Sequence, residues 1–204
     1  TGDLVGGQVR APKEGERYFA LIKIETINTV VPDGMRSKPI FESLTPIRAE
    51  KRIQFTNGVG NLAARLVDHY LPIGFGQRVA VVAPPRTDRL SLYSDLVHGI
   101  RSNHPDAVVL MLLLDERPEE VTEVRRKVDA EVLFSTFDEP TERHVQVTDM
   151  AIERAKRMAE QGQDVVLFVD SLSRLARASH SSTPAGGKLM GSLVTPSWIT
   201  CTSS

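Results

Sequence analysis

The residues best suited to chemistry fall in four short segments. The first is Pro84-Pro85-Arg86-Thr87-Asp88-Arg89-Leu90, which interrupts the apolar run Val79-Ala80-Val81-Val82-Ala83 just before a helical pattern resumes. A strand, a tight loop and a helix N-terminus in that order present backbone N–H groups to phosphate. Such a loop ordinarily carries Gly, then Lys, then Ser or Thr. Here Asp88 stands at the glycine place, Arg89 at the lysine place and Leu90 at the hydroxyl place. The second segment is Asp115-Glu116-Arg117-Pro118-Glu119-Glu120, and the third is Ser135-Thr136-Phe137-Asp138-Glu139-Pro140. The fourth, Phe168-Val169-Asp170-Ser171, closes an apolar strand on an acid.

Each segment has a plain structural reading beside the chemical one. Asp170 suits a strand-end carboxylate that holds Mg²⁺ directly or through water, and equally a solvated strand-end acid. Glu116 could polarise an attacking water or complement a helix dipole, as Glu119 and Glu120 would. Asp138 and Glu139 fit N-cap acids of the helix that follows. Taken together, in this order on successive strand ends, the four are far more specific than any one.

Those strand ends need a scaffold. The chain has 204 residues, 41% hydrophobic and 25% charged, enough for a sizeable core. The net charge of −1 argues against bulk capture of nucleic acid but not against a local basic strip. A single cysteine, Cys201, excludes an internal disulfide and a multi-cysteine metal site, and fits a cytoplasmic protein. No apolar stretch approaches the ~20 residues of a membrane span. The start at Thr1-Gly2-Asp3 looks mid-protein.

Residues 1–57 are punctuated by Gly and Pro and hold one clear strand, Tyr18 to Ile24, so they read as a connector subdomain. From 58 to 204 a second unit begins with a helix over Asn61 to Tyr70 and then alternates. Strands are expected at Val79–Ala83, Ala107–Leu114, Glu131–Ser135 and Val165–Val169. Helices are expected at Leu90–Arg101, Pro118–Val128, Arg143–Glu160 and Leu172–Ala178. Short continuous Val- and Leu-rich runs between helices indicate an α/β fold with a parallel sheet buried on both faces and ligands at its carboxyl edge. A sheet of about five strands is expected to leave an apolar edge for a partner or a second copy to cover. His69, His98, His104 and His180 read as surface or cap residues and His144 as structural. Arg154, Lys156 and Arg157 read as a solvated face.

The chain resembles the bacterial transcription termination factor Rho family, RNA-dependent hexameric ATPases. The runs that carry the resemblance are Pro12 to Leu21, Phe41 to Pro46, Asp115 to Glu123, Ser135 to Pro140 with Arg143 to Val147, and Asp170 to Ala178. It implies a RecA-like P-loop NTPase core that uses ATP and Mg²⁺, acting on RNA in a ring of Rho-type subunits, with helicase activity. By the same resemblance Glu116 matches the water-activating glutamate, and Asp170 the Mg²⁺-holding Walker B aspartate. Arg174 and Arg177 match interface and nucleotide-sensing arginines, and Lys188 an RNA-contacting lysine of the pore loop. The primary RNA-binding domain is expected upstream of this chain.

The loop departs from the family's Pro-Pro-Lys-Ala-Gly-Lys-Thr. Pro84 and Pro85 are kept, while Arg86, Thr87, Asp88, Arg89 and Leu90 replace the rest. A carboxylate ~4 Å from one phosphate charge costs roughly 4 kcal/mol at an effective dielectric near 20. Leucine offers Mg²⁺ no oxygen, and a guanidinium is a wide planar fork where a compact ammonium belongs. ATP affinity is therefore expected to be weak and hydrolysis slow or absent, unless Arg86 and Arg89 hold phosphate themselves. The tail from Met190, with Trp198, is expected to lack the second RNA loop and the arginine finger. The alternatives to a weakened motor are a non-catalytic module that joins Rho-type rings or RNA, and a decayed gene product.

Overall fold

The computed structural model describes residues 2–12, 18–28, 39–45, 48–56, 62–84, 87–182, 189–190 and 193–194. Pro85, Arg86 and Lys188, and the tail with Trp198 and Cys201, lie outside the described residues. Two antiparallel strands come first, β1 (Val5–Arg10) and β2 (Ala20–Ile27), followed by helix α1 (Leu62–Tyr70) and helix α2 (Arg89–Asn103). An alternating region follows: β3 (Val108–Glu116), α3 (Pro118–Lys127), β4 (Glu131–Thr136), α4 (Thr141–Glu160), β5 (Val165–Asp170) and α5 (Leu172–Ser182). A two-residue antiparallel pair, β6 (Leu189–Met190) and β7 (Leu193–Val194), closes the series.

Strands β3, β4 and β5 form one parallel sheet in the order β4-β3-β5. The central strand reads Val-Val-Leu-Met-Leu-Leu-Leu, and its alternation sends neighbouring side chains to opposite faces. Val109, Met111 and Leu113 pack with Leu96, Val97 and Ile100 of α2 and with Val121 and Val124 of α3. Leu112 and Leu114 pack with Val147 and Ala151 of α4 and Leu175 of α5. Each fully buried side chain of this kind stabilises the fold by about 1.5–3 kcal/mol. This two-sided burial is why β3 shows no polar alternation.

The helices follow local rules. In α3, Pro118 sits in the first turn with Glu119 and Glu120, and Arg125, Arg126 and Lys127 fill the last turn, so charge complements the dipole at both ends. In α4 the buried positions His144, Val147, Thr148, Ala151, Arg154 and Met158 recur at helical spacing. Gly99 lets α2 approach the chain at Phe55: a Cβ there would lie 2.0 Å from the Phe55 carbonyl oxygen.

Four expectations are corrected. Val79–Ala83 is not a strand: it joins no sheet among the described residues, and Val81 and Val82 are 71% and 95% exposed. An apolar run becomes a strand only where a neighbouring edge accepts its backbone ladder, and apolarity alone does not supply one. The described parallel sheet accordingly has three strands, not five. Asp138 and Glu139 do not cap α4; Pro140 holds the N-cap position without a side-chain bond, and Glu139 accepts instead from the Thr136 N–H at 3.0 Å. Arg154 is buried, while Lys156 and Arg157 are paired with Glu42, Glu153 and Glu160. Strand β1, with its Gly6-Gly7 pair, carries too little apolar pattern to be read from sequence.

Candidate functional site

The carboxyl ends of the parallel strands carry the carboxylates. Asp170 ends β5 and Glu116 ends β3, and both side chains are almost wholly buried, at 7% and 5% exposure. The β3–β4 register breaks between Leu113 and Glu116, and Asp115 there adopts a left-handed backbone with φ +56°. Asp tolerates that conformation better than most residues, and the irregularity sets the direction of the strand end that bears Glu116. The expected convergence of segments holds for the loop, Glu116 and Asp170. They share one open cavity of about 640 Å³ with Tyr93 of α2 and Glu120 of α3. From the third segment, Thr136 pairs with Glu116 across the sheet. His144 Nδ1 lies 2.8 Å from the Ser135 hydroxyl, a buried contact that suits its structural reading.

The loop residues are engaged with the protein itself. Asp88 is the N-cap of α2, its carboxylate accepting from the Ser91 N–H at 3.1 Å. A side-chain acid thus takes a helix N-terminal donor of the kind a phosphate would use. The Thr87 hydroxyl donates to the Pro84 carbonyl at 2.7 Å. Leu90 is half-buried against the core formed by α2, α3 and β3, which gives an apolar residue a reason to occupy that position.

Arg89 crosses the cavity floor. Its Nη1 lies 2.6 Å from both oxygens of Asp170, and its Nη2 lies 3.2 Å from Oε1 of Glu116. Arg174 donates to the same Glu116 oxygen, Oε1, and, at 2.8 Å, to the Leu114 carbonyl. Arg177, one turn further along α5, is exposed and does not line the cavity. Two contributors were not anticipated from sequence. Tyr93 lines the same cavity as Asp170, and its ring packs edge-on against Phe168, centroids 6.0 Å apart. Glu120, expected only to complement a dipole, also lines the cavity beside Glu116. Helical spacing of Tyr93 from Arg89 within α2 was the available signal for the first; for Glu120, on α3 while Glu116 ends β3, no spacing rule supplied one.

The electrostatics follow from burial and pairing. Burial, and then the hydrogen bond to Glu120, push Glu116 up to about 7, against the pull of Arg174 and Arg89. The same bond, received from Glu116, holds Glu120 below its ordinary value. Burial followed by the charge of Asp170 raises Tyr93. Partial burial works against the charge on Arg89, but Asp170 and Glu116 outweigh it and raise its pKa. Six lining side chains are acidic, Asp88, Asp95, Glu116, Glu120, Glu123 and Asp170, against the cations Arg89 and Lys127.

A Mg²⁺ ion does not fit the donor set as it stands. Both Asp170 oxygens are taken by a guanidinium, Leu90 has no oxygen to give, and no cluster of three or more His, Cys, Asp or Glu among the described residues has the form of a metal site.

Comparison with known proteins fits this geometry. Residues 63–193 match the family model described as ATP synthase alpha/beta family, nucleotide-binding domain. The chain belongs to that family. The α/β fold with its parallel sheet is the one expected of a P-loop NTPase. Residues 1–33 match the Rho termination factor, RNA-binding domain, inside the stretch read above as a connector. Within the nucleotide-binding family, the resemblance to Rho is borne out. The chain is 51% identical over 193 residues to transcription termination factor Rho of Buchnera aphidicola subsp. Baizongia pistaciae. It is 50% identical over the same length to Rho of Salmonella typhimurium and of Escherichia coli K12. Each alignment covers 93% of this chain and 46% of the relative, so the chain spans less than half the length of these curated relatives. No helix among the described residues is long and apolar enough to cross a membrane.

Proposed function

We propose that this chain is a Rho-type ATPase motor module, akin to an RNA-dependent helicase of transcription termination, whose nucleotide seat is impaired. Glu116 and Asp170 are the carboxylates that would serve water activation and metal binding in the ancestral chemistry. Arg174 and Arg177 would face a neighbouring Rho-type subunit, Lys188 would face RNA, and the ligand inherited with the fold is ATP with Mg²⁺.

One observation carries the impairment: each described loop residue that would grip triphosphate is turned to another task. Asp88 takes the Ser91 N–H, Arg89 takes the carboxylates and Leu90 packs into the core. The acidic excess of the cavity lining acts in the same direction, because like charges facing phosphate raise the cost of every contact.

The test is titration with a fluorescent ATP analogue, together with RNA-stimulated phosphate release. The chain should show affinity at least ~100-fold weaker than an intact Rho-type protein, equivalent to about 2.7 kcal/mol. The combined change Arg86→Lys, Thr87→Ala, Asp88→Gly, Arg89→Lys and Leu90→Thr should recover most of that loss. Comparable affinity before the change, or none gained by a folded protein after it, would discard the reading.

A further inference from the structure

We propose that Arg89 is a tethered counter-ion that closes the Asp170–Glu116 carboxylate pair against divalent cations. The inference rests on the site assignment above but concerns metal exclusion, which weak nucleotide binding does not require. The geometry supports it in three ways. Arg89 is the first residue of α2, so the helix fixes its root beside the strand ends. One nitrogen of its fork reaches both oxygens of Asp170, and the other reaches Glu116, so a single cation engages both acids. Arg174 engages the same oxygen of Glu116, Oε1, so two guanidinium groups converge on that acid.

A cation at a helix N-terminus opposes the dipole, and this one persists there because two almost wholly buried carboxylates surround it. The arrangement gives buried acids the positive charge they need without an ion from solution. A divalent cation entering the site must displace Arg89 and meet its repulsion. Mg²⁺ also sheds its water reluctantly and binds poorly where only carboxylates already engaged elsewhere are offered. The lysine-to-arginine change is therefore more than a poorer phosphate grip: it turns the loop cation inward and makes the pocket self-neutralising.

The experiment uses the whole chain and Mn²⁺ alone, without nucleotide, read by electron paramagnetic resonance with Mg²⁺ competition. Binding of Mn²⁺ is thus measured whether or not ATP binds. The natural chain should bind Mn²⁺ no better than its Asp170→Asn variant. Arg89→Ala should bind at least ~tenfold more tightly, and adding Asp170→Asn to it should abolish the gain. Arg89→Gln, which keeps polarity and length without charge, is the second variant, with folding of each checked by circular dichroism. Mn²⁺ binding by the natural chain that Asp170→Asn removes would overturn the proposal. So would a folded Arg89→Ala or Arg89→Gln that gains nothing. If neither variant folds, the comparison of the natural chain with Asp170→Asn still decides.

Discussion

Glu116 concentrates the physical tension of the site. Burial and the bond to Glu120 push this carboxyl up to about 7, even though two arginines beside it pull the other way. In the unfolded chain the same group ionises near its ordinary 4.5. The native state therefore binds more protons than the unfolded state between those values, and stability falls as pH rises through that window. Glu120 is shifted the other way, so its own effect lies below 4.5 and leaves the window to Glu116. Urea midpoints for the natural chain should drop between pH about 5 and about 8, and Glu116→Gln, neutral throughout, should flatten the profile. A slope unchanged in Glu116→Gln would place the proton elsewhere. The position of Glu116 was legible in the sequence because an apolar strand ended on it. Its proton was not, because it depends on burial and on Glu120 of α3 outweighing Arg89 and Arg174, which arrive from two further elements and oppose it. Arg89 shows the same limit: its charge and its place in the loop could be read, but which partner claims that charge is decided by distances no spacing rule contains.

The elements divide by how local their causes are. Helices α3 and α4 and strands β3, β4 and β5 lie close to their expected positions, because end charges, helical periodicity and Val/Leu-rich runs are written into consecutive residues. The run from Val79 to Ala83 has the same apolar character as β5 but remains outside the sheet, and β1 pairs with β2 despite a weak pattern. In both cases the partner strand, not the residue types, decides. Helix α2 offers a sharper test of close packing. Alanine normally favours a helix interior over glycine by about 0.8–1.0 kcal/mol. At Gly99 the added methyl would meet the Phe55 carbonyl at 2.0 Å, and the backbone must shift to admit it. Gly99→Ala should therefore destabilise by about 1–3 kcal/mol in denaturant titration, the overpacking cost exceeding the propensity gain. A stabilised Gly99→Ala variant would show that α2 and residue 55 separate freely.

At the scale of the whole molecule, the question is what holds the N-terminal hairpin to the α/β body. Its surface is largely apolar and exposed, including Val9, Phe19 and Ile22, so broad burial does not secure it. Among the described residues, a cluster of polar contacts around Asn28 joins the two. Asn28, in a left-handed backbone with φ +50°, accepts from the Leu4 N–H at 2.7 Å and donates to Asp3 at 2.6 Å. Arg154 of α4 donates to the same Asn28 side chain at 2.8 Å while its fork engages Glu131 of β4 at 3.1 and 3.3 Å. A residue that reads from sequence as part of a solvated basic face is thus the tie between the hairpin, the long helix and the edge of the sheet. Removing it takes one donor from the Asn28 oxygen, which keeps the Leu4 N–H, and the charged fork from half-exposed Glu131, a loss of about 1.5–3 kcal/mol for hydrogen bonds to a charged group. Arg154→Ala should therefore speed hydrogen exchange of the β1 and β2 amides while leaving β3 at its original protection, because β3 lies in the core the tie does not support. Arg154→Lys keeps the charge but not the fork, and should fall between the two. Equal loss of protection in the hairpin and in β3 would show instead that Arg154 holds the core, and the hairpin would then need another anchor.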